Sequence, residues 1–298
     1  MDAGFETISF GTFANDLDNA VSWLQNVGIR YAPTRLGEYK RAIETLLKIY
    51  TSDDVKKMRD EYARIVTALF EANDLILIHK DLAGKFDGKL RARIEKYAKG
   101  PVNYTEELTS SSSNIGRNTA FELLVMSKLV KAGIEPDFEV DGDIAVLFDN
   151  RSIIFECKRP QSLGKLESNI RDAFKQLEKR FLNPIRARHR GIIAIDISKI
   201  VNPDFMLYVQ PNVGSLRSGL SRIIDNFIKE NEKFWQTRRS SKTIAVLIRL
   251  GLMGVVEEKN RLLTYCQEYG LTPLNHVGER NIWTAKTLTY ALANGGKS

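Results

Sequence analysis

The stretch Asp143-Ile144-Ala145-Val146-Leu147-Phe148-Asp149-Asn150-Arg151-Ser152-Ile153-Ile154-Phe155-Glu156-Cys157-Lys158 reads as strand, turn and strand. Two short runs rich in Ile, Val and Phe flank Asp149-Asn150, a pair of residue types that suits a tight turn between antiparallel strands. The reading is a hairpin with strands over 143–148 and 152–158. Its end carries charge where the pattern calls for core. Side chains two apart in a strand share a face, so Glu156 and Lys158 project together while Cys157 points the other way. The residues before them, Ile153-Ile154-Phe155, belong to an interior. Desolvating an ion costs several kcal/mol unless it is paired or bound to a metal, so this end of the strand needs a compensating reason.

Residues 116–132 read as a helix ended by Gly133, and Pro136–Val140 as a short strand before the hairpin. A long amphipathic helix over 165–182 follows it. Gly191–Ile197 is a near-continuous apolar run, as expected for a strand buried on both faces. The order of helix, three strands, helix and strand argues an α/β fold, a mixed central sheet flanked by helices. Further on, a helix over 215–234 precedes a second apolar strand, Thr243–Ile248, and the remainder has no clear period.

Upstream, the periodicity to residue 108 is helical. Leu36, Tyr39, Ile43, Leu46, Leu47 and Tyr50 form one stripe over 34–50, and Val55, Met58, Tyr62, Ile65, Val66 and Leu69 another over 53–72, with Ser52 as its N-cap. A shorter helix over 88–98 closes at Gly100-Pro101. The serine-rich run Thr109–Asn114 reads as a loop and a boundary. The expected organisation is an N-terminal helical lobe over 1–108 and an α/β domain over 115–298 whose core is 115–198.

Composition narrows the class. The 298 residues carry 44 Lys+Arg against 37 Asp+Glu, a net charge of +7, with 43% hydrophobic and 27% charged residues. That balance is globular. No apolar run approaches the ~20 residues that span a bilayer, and Met1–Glu6 lacks the basic start of a secretory signal. Two cysteines, Cys157 and Cys266, are too few for a disulfide framework. The expectation is a cytoplasmic protein with no membrane partner. Three scattered histidines and two cysteines do not form a zinc site. Gly296-Lys297-Ser298 resembles the end of a phosphate-binding loop, but the first glycine such a loop requires would fall at Ala291.

Asp143 supplies a third member of the charged face. If Asp149-Asn150 is the two-residue turn, Asp143 lies opposite Glu156; if the turn is Asn150-Arg151, it faces Lys158. Either register gathers Asp143, Glu156 and Lys158 within the ~5 Å of cross-strand neighbours. Glu122, on the helix before the strands, borders an apolar stripe of Val125, Met126 and Leu129 and is a candidate fourth member. Such oxygen-rich groups suit Mg²⁺ or Mn²⁺, and a structural ion pair is the alternative reading. The acidic-x-Lys tripeptide itself occurs five times in the chain, so its position at a strand end carries the signal.

The segment resembles the PD-(D/E)xK nuclease superfamily, with its restriction-endonuclease-like α-β-β-β-α-β core, over roughly residues 115–198. The resemblance rests on the helix containing Glu122, on Gly142-Asp143 and on Glu156-Cys157-Lys158; Gly142 stands where the motif has proline. It implies that Glu122, Asp143 and Glu156 help hold a divalent metal, with the Cys157 backbone carbonyl as a further ligand. Lys158 would assist the attacking water. Some branches carry a glutamine in the next helix, a place Gln176 occupies, although a solvated glutamine on a helix face is the plain alternative. The implied activity is metal-dependent DNA hydrolysis, an endonuclease of restriction or phage defence. A catalytically silent nuclease-fold subunit that holds nucleic acid is the alternative. RNA stays open as substrate, as does a homo-oligomer or a partner such as a helicase or ATPase.

Charge points the same way. Between Lys158 and Arg190 stand ten basic and three acidic residues, an excess equal to that of the whole chain. Arg159, Lys165, Arg171, Lys175, Lys179 and Arg180 are the expected nucleic-acid contacts, since clustered cations beside a catalytic strand track phosphates.

Overall fold

The computed structural model describes residues 5–52, 54–85, 87–103, 106–107, 111–137, 143–182, 189–238, 240, 242–256 and 262–294. In chain order the elements are β1 (Phe5–Ile8), α1 (Phe10–Asn26), α2 (Arg35–Ser52), α3 (Val55–Leu82), a short 3-10 turn at Ala83–Lys85, α4 (Gly88–Tyr97) and α5 (Ser111–Lys131). Then come β2 (Ile144–Phe148), β3 (Arg151–Lys158), α6 (Leu163–Phe181), β4 (Arg190–Asp196), α7 (Ser198–Val201) and β5 (Tyr208–Gln210). The chain continues through α8 (Val213–Asn231), α9 (Lys233–Gln236), β6 (Thr243–Val256), β7 (Leu262–Pro273) and α10 (Glu279–Asn294).

The protein is mixed α/β, with one mixed sheet ordered β1-β7-β6-β4-β3-β2 and β5 pairing the far end of β6. The β2–β3 hairpin is antiparallel, β3 and β4 are parallel with α6 as their crossover, and β6 and β7 are antiparallel. Parity along the strands divides the core in two. Ile153 and Phe155 of β3, with Ile192 and Ala194 of β4, face α1–α5 and α10. Ile154, Ile193 and Ile195 face α6 and α8, where Leu166, Ile170 and Leu177 fill one stripe of α6. Each such fully buried aliphatic side chain contributes about 1.5–3 kcal/mol.

Several elements differ from the sequence reading. The loop read over Thr109–Asn114 is helical in its second part, because Ser111 already opens α5. Thr109 and Ser110 lie outside the described residues. Asp54, not Ser52, caps α3 by accepting from Lys57 N, and α3 runs ten residues past its expected end. The N-terminal segment also supplies a strand, β1, paired with β7. Of the strand expected over 136–140, residues 138–140 lie outside the described residues, while Pro136 forms an antiparallel bridge to Val146. No helix among the described residues is long and apolar enough to cross a membrane.

Helix α5 is fixed against α4 by a glycine. A Cβ on Gly116 would fall 1.9 Å from the backbone oxygen of Lys99 and 3.1 Å from that of Tyr97. Gly116→Ala therefore forces backbone apart, and overpacking of this kind costs about 1–3 kcal/mol. Chemical denaturation should show that loss; an unchanged midpoint would mean the helices are free to separate.

Candidate functional site

The hairpin turn is Asp149-Asn150, both with positive φ (52° and 55°), as a two-residue turn of this kind requires. Ile144 pairs with Phe155, so the register continued by one residue sets Asp143 opposite Glu156, the first of the two registers read from sequence. Both carboxylates then lie on the face toward α6, with Lys158, while Cys157 packs against the opposite core. The Asp143 carboxylate ends the hairpin by accepting at Oδ2 from the Cys157 N–H, 2.7 Å away. Backbone N–H and C=O of one strand residue leave on the same edge, so the Cys157 carbonyl is directed there too.

Glu156 is 1% exposed. Its Oε1 accepts from Lys158 Nζ at 3.0 Å, the pairing that strand parity predicts. Its Oε2 lies 3.1 Å from Arg180 Nη2 of α6, yet that buried oxygen makes no hydrogen bond. Burial and the neighbouring Asp143 raise the Glu156 pKa, against Lys158 and Arg180. Glu122 reaches the same place from α5. Burial, then Asp143, push its pKa up to about 7, and Arg93 opposes the shift. Burial and the same carboxylates push the Cys157 thiol well above its usual range.

These groups line one open pocket of about 380 Å³ at the C-terminal end of β3. Helix α5 contributes Asn114, Asn118 and Glu122, spaced by four, one helical stripe. Helix α6 contributes Lys165, Asn169 and Gln176 from a second stripe that ends at Arg180. The structure thus brings together Glu122, Asp143, Glu156, Lys158 and Gln176.

The basic residues divide. Lys165, Arg171, Lys175 and Lys179 are exposed on α6, whereas Arg180 is turned inward to Glu156. Arg159 is not on the exposed track: it is buried and holds Glu107 through two bonds of 2.7 and 2.9 Å. Arg190, counted with the same basic run, pairs in register with Ile153 rather than with Lys158, at the other end of β3. Arg186 and Arg188 lie outside the described residues.

Sequence reasoning missed Arg93. It comes from α4, where its Nη1 donates to Glu122 Oε2 at 3.0 Å and to the Asp143 carbonyl. Nothing local to α4 marks it, since its partners lie 29 and 50 residues away. Asn114 and Asn118 were missed as well, although their spacing of four to Glu122 is a signal that could have found them. Each carboxylate leans on its own cation or N–H, and among the described residues no three His, Cys, Asp or Glu side chains are gathered tightly enough to hold a metal ion. The chemistry of the donors is nonetheless that of a hard-cation site, although the side chains are not drawn together as ligands of one ion. Three carboxylates crowd one pocket, two of them hold their protons more tightly than usual, and a buried carboxylate oxygen lacks a hydrogen bond.

Comparison of the chain with profiles of known families, with characterised proteins and with solved structures found no match.

Proposed function

We propose that the chain is a PD-(D/E)xK nuclease that hydrolyses phosphodiester bonds in DNA, as an endonuclease of restriction or phage defence. The observation that carries this reading is the convergence of Asp143, Glu156 and Lys158 on one face of the hairpin, with Glu122 in the same pocket. The run α5-β2-β3-α6-β4 supports a restriction-endonuclease-like core. DNA rather than RNA follows from the resemblance alone.

Glu122, Asp143, Glu156 and the Cys157 carbonyl would hold Mg²⁺ or Mn²⁺. When bound, such a cation polarises a phosphoryl oxygen and lowers the pKa of water beside it. Lys158 has two uses at this place. Its ammonium would orient the attacking water, or neutralise charge growing on the phosphate. Gln176 and Asn169 offer hydrogen bonds from α6, and Lys165 offers charge. Arg93 neutralises Glu122, and Lys158 and Arg180 neutralise Glu156, in the metal-free protein.

That same neutralisation favours a second reading, a nuclease-fold subunit that holds nucleic acid without cutting it. Incubation of the purified protein with plasmid, linear and single-stranded DNA and RNA, with Mg²⁺, Mn²⁺ or EDTA, separates the two. Metal-dependent nicking supports the enzyme. Binding without cleavage of any of these substrates supports the silent subunit.

The exposed row Arg171, Lys175 and Lys179 has its own test. In EDTA, Lys175→Glu with Lys179→Glu should weaken DNA binding and lower the slope of log K against log salt by about two, since each phosphate contact releases counterions. An unchanged slope in fluorescence anisotropy would remove α6 from the interface.

A further inference from the structure

A second cationic cluster lies at the opposite end of the sheet. Arg151 opens β3, Arg190 opens β4, and Arg280 lies in the first turn of α10. Arg190 pairs beside Ile153 and Ile195 beside Lys158, so five residues of strand, ~17 Å, separate this end from the pocket. Arg151 Nη1 and Arg190 Nε donate to the same oxygen, Asn281 Oδ1, at 2.7 and 3.2 Å. Two guanidinium groups thus converge on one neutral acceptor, Arg190 Nη1 also donates to the His189 carbonyl at 2.8 Å, and Arg280 stands near enough to act on both arginines. Burial and this mutual repulsion lower the pKa of Arg151 and of Arg190. Asp149 is the carboxylate acting on Arg151, and it accepts from Thr284 Oγ1 at 3.3 Å. An oxyanion relieves such crowding, because guanidinium forks match phosphate oxygens.

The outer face of α10 continues from this cluster. Arg280, Trp283, Lys286 and Tyr290 are exposed on it, while Ala285, Leu288 and Leu292 face the core. Trp283 is 55% and Tyr290 70% exposed. Seven residues apart, they share a face and lie ~10 Å from each other along the axis. Large aromatic rings in water beside cations are the recurring platform for unpaired bases, whose stacking is tolerant of sequence.

We propose that this surface binds a single-stranded nucleic-acid segment, with phosphate in the Arg151–Arg190–Arg280 cluster and bases stacked on Trp283 and Tyr290. It is a second contact, separate from the α6 cleft, and it does not depend on cleavage.

The test uses the full chain in EDTA. Trp23 and Trp235 are buried, at 9% and 0% exposure, so base stacking should quench Trp283 selectively. A short oligothymidylate is expected to quench fluorescence saturably, and Trp283→Phe should abolish the signal. By anisotropy, Trp283→Ala with Tyr290→Ala, and separately Arg280→Glu, should each weaken binding about tenfold. Lys175→Glu with Lys179→Glu should leave the quench in place. Wild-type affinity in the α10 variants would overturn the proposal. So would quenching lost through the α6 variant, or inorganic phosphate and thymidine monophosphate binding as tightly as the oligonucleotide. A plasmid left uncut while the quench persists would sink the nuclease reading and leave this surface standing.

Discussion

Glu156→Gln is expected to abolish cleavage, by about 10³-fold or more, without unfolding the protein. The amide keeps the shape of the side chain and one acceptor oxygen for Lys158, but removes the charge at the centre of the pocket. Burial and Asp143 already hold the Glu156 carboxylate at a disadvantage in the folded state. Its replacement by a neutral isostere removes a disfavoured ion, and Lys158 and Arg180, each 17% exposed, keep access to water, so the melting temperature should change little. Lys158→Ala should lose ~10²–10⁴-fold, the range of a positioned proton-handling group. Plasmid nicking and thermal melting on the same samples check both. Wild-type turnover by either variant would take Glu156 or Lys158 out of the chemistry, and a lower melting temperature for Glu156→Gln would mean that the carboxylate mainly supports the fold.

The second large effect lies away from the pocket. Glu71 of α3 is buried between Arg35 of α2, at 2.6 Å, and Arg117 of α5, at 2.5 Å. Arg35 also donates to the Tyr97 carbonyl, and Arg117 to Tyr39 Oη and the Val102 carbonyl. Burial alone would raise the Glu71 pKa; Arg117 and Arg35 overcome it and hold the group at about 2. Glu71→Ala leaves two guanidinium groups in the core without their carboxylate, a change that costs about 3–5 kcal/mol. Replacing Arg35, Glu71 and Arg117 together by apolar residues of similar volume should cost far less, because no ion is then stranded. Denaturant titration distinguishes the two variants; equal losses would mean that packing, not charge, sets the cost. Since the folded pKa is depressed, the stabilisation is full above the ordinary value of 4.5 and fades as pH falls toward 2. Arg117 sits on the helix that carries Glu122, so the same network positions the pocket.

The hairpin was legible because every constraint on it is local. Asp149-Asn150 selects the turn, the turn fixes the register, and parity alone then sends Glu156 and Lys158 to one face and Cys157 to the other. Arg180 was legible as a cation but not as a partner of Glu156, because only the docking of α6 on β3 turns it inward. Arg93, and the pairing of Arg159 with Glu107, were illegible for the same reason, each cation finding its carboxylate through tertiary packing. The unassigned C-terminal region shows a different limit. Helix α10 contains four β-branched residues among its sixteen, which weakens its local propensity, yet Ala285, Leu288 and Leu292 bury one face of it. Strand β7 forms because β6 offers it a long antiparallel partner, a reason outside its own residues.

The proposed hydrolysis requires the three carboxylates of the pocket to share one divalent cation. Calorimetric titration of the metal-free protein with Mn²⁺ tests this without a substrate. Saturable binding by the wild type that is lost or severely weakened in Asp143→Asn and Glu156→Gln is the predicted result. No Mn²⁺ binding by the wild type, or equal binding by all three proteins, would contradict it and leave Arg93, Lys158 and Arg180 as the permanent counterions of a structural cluster.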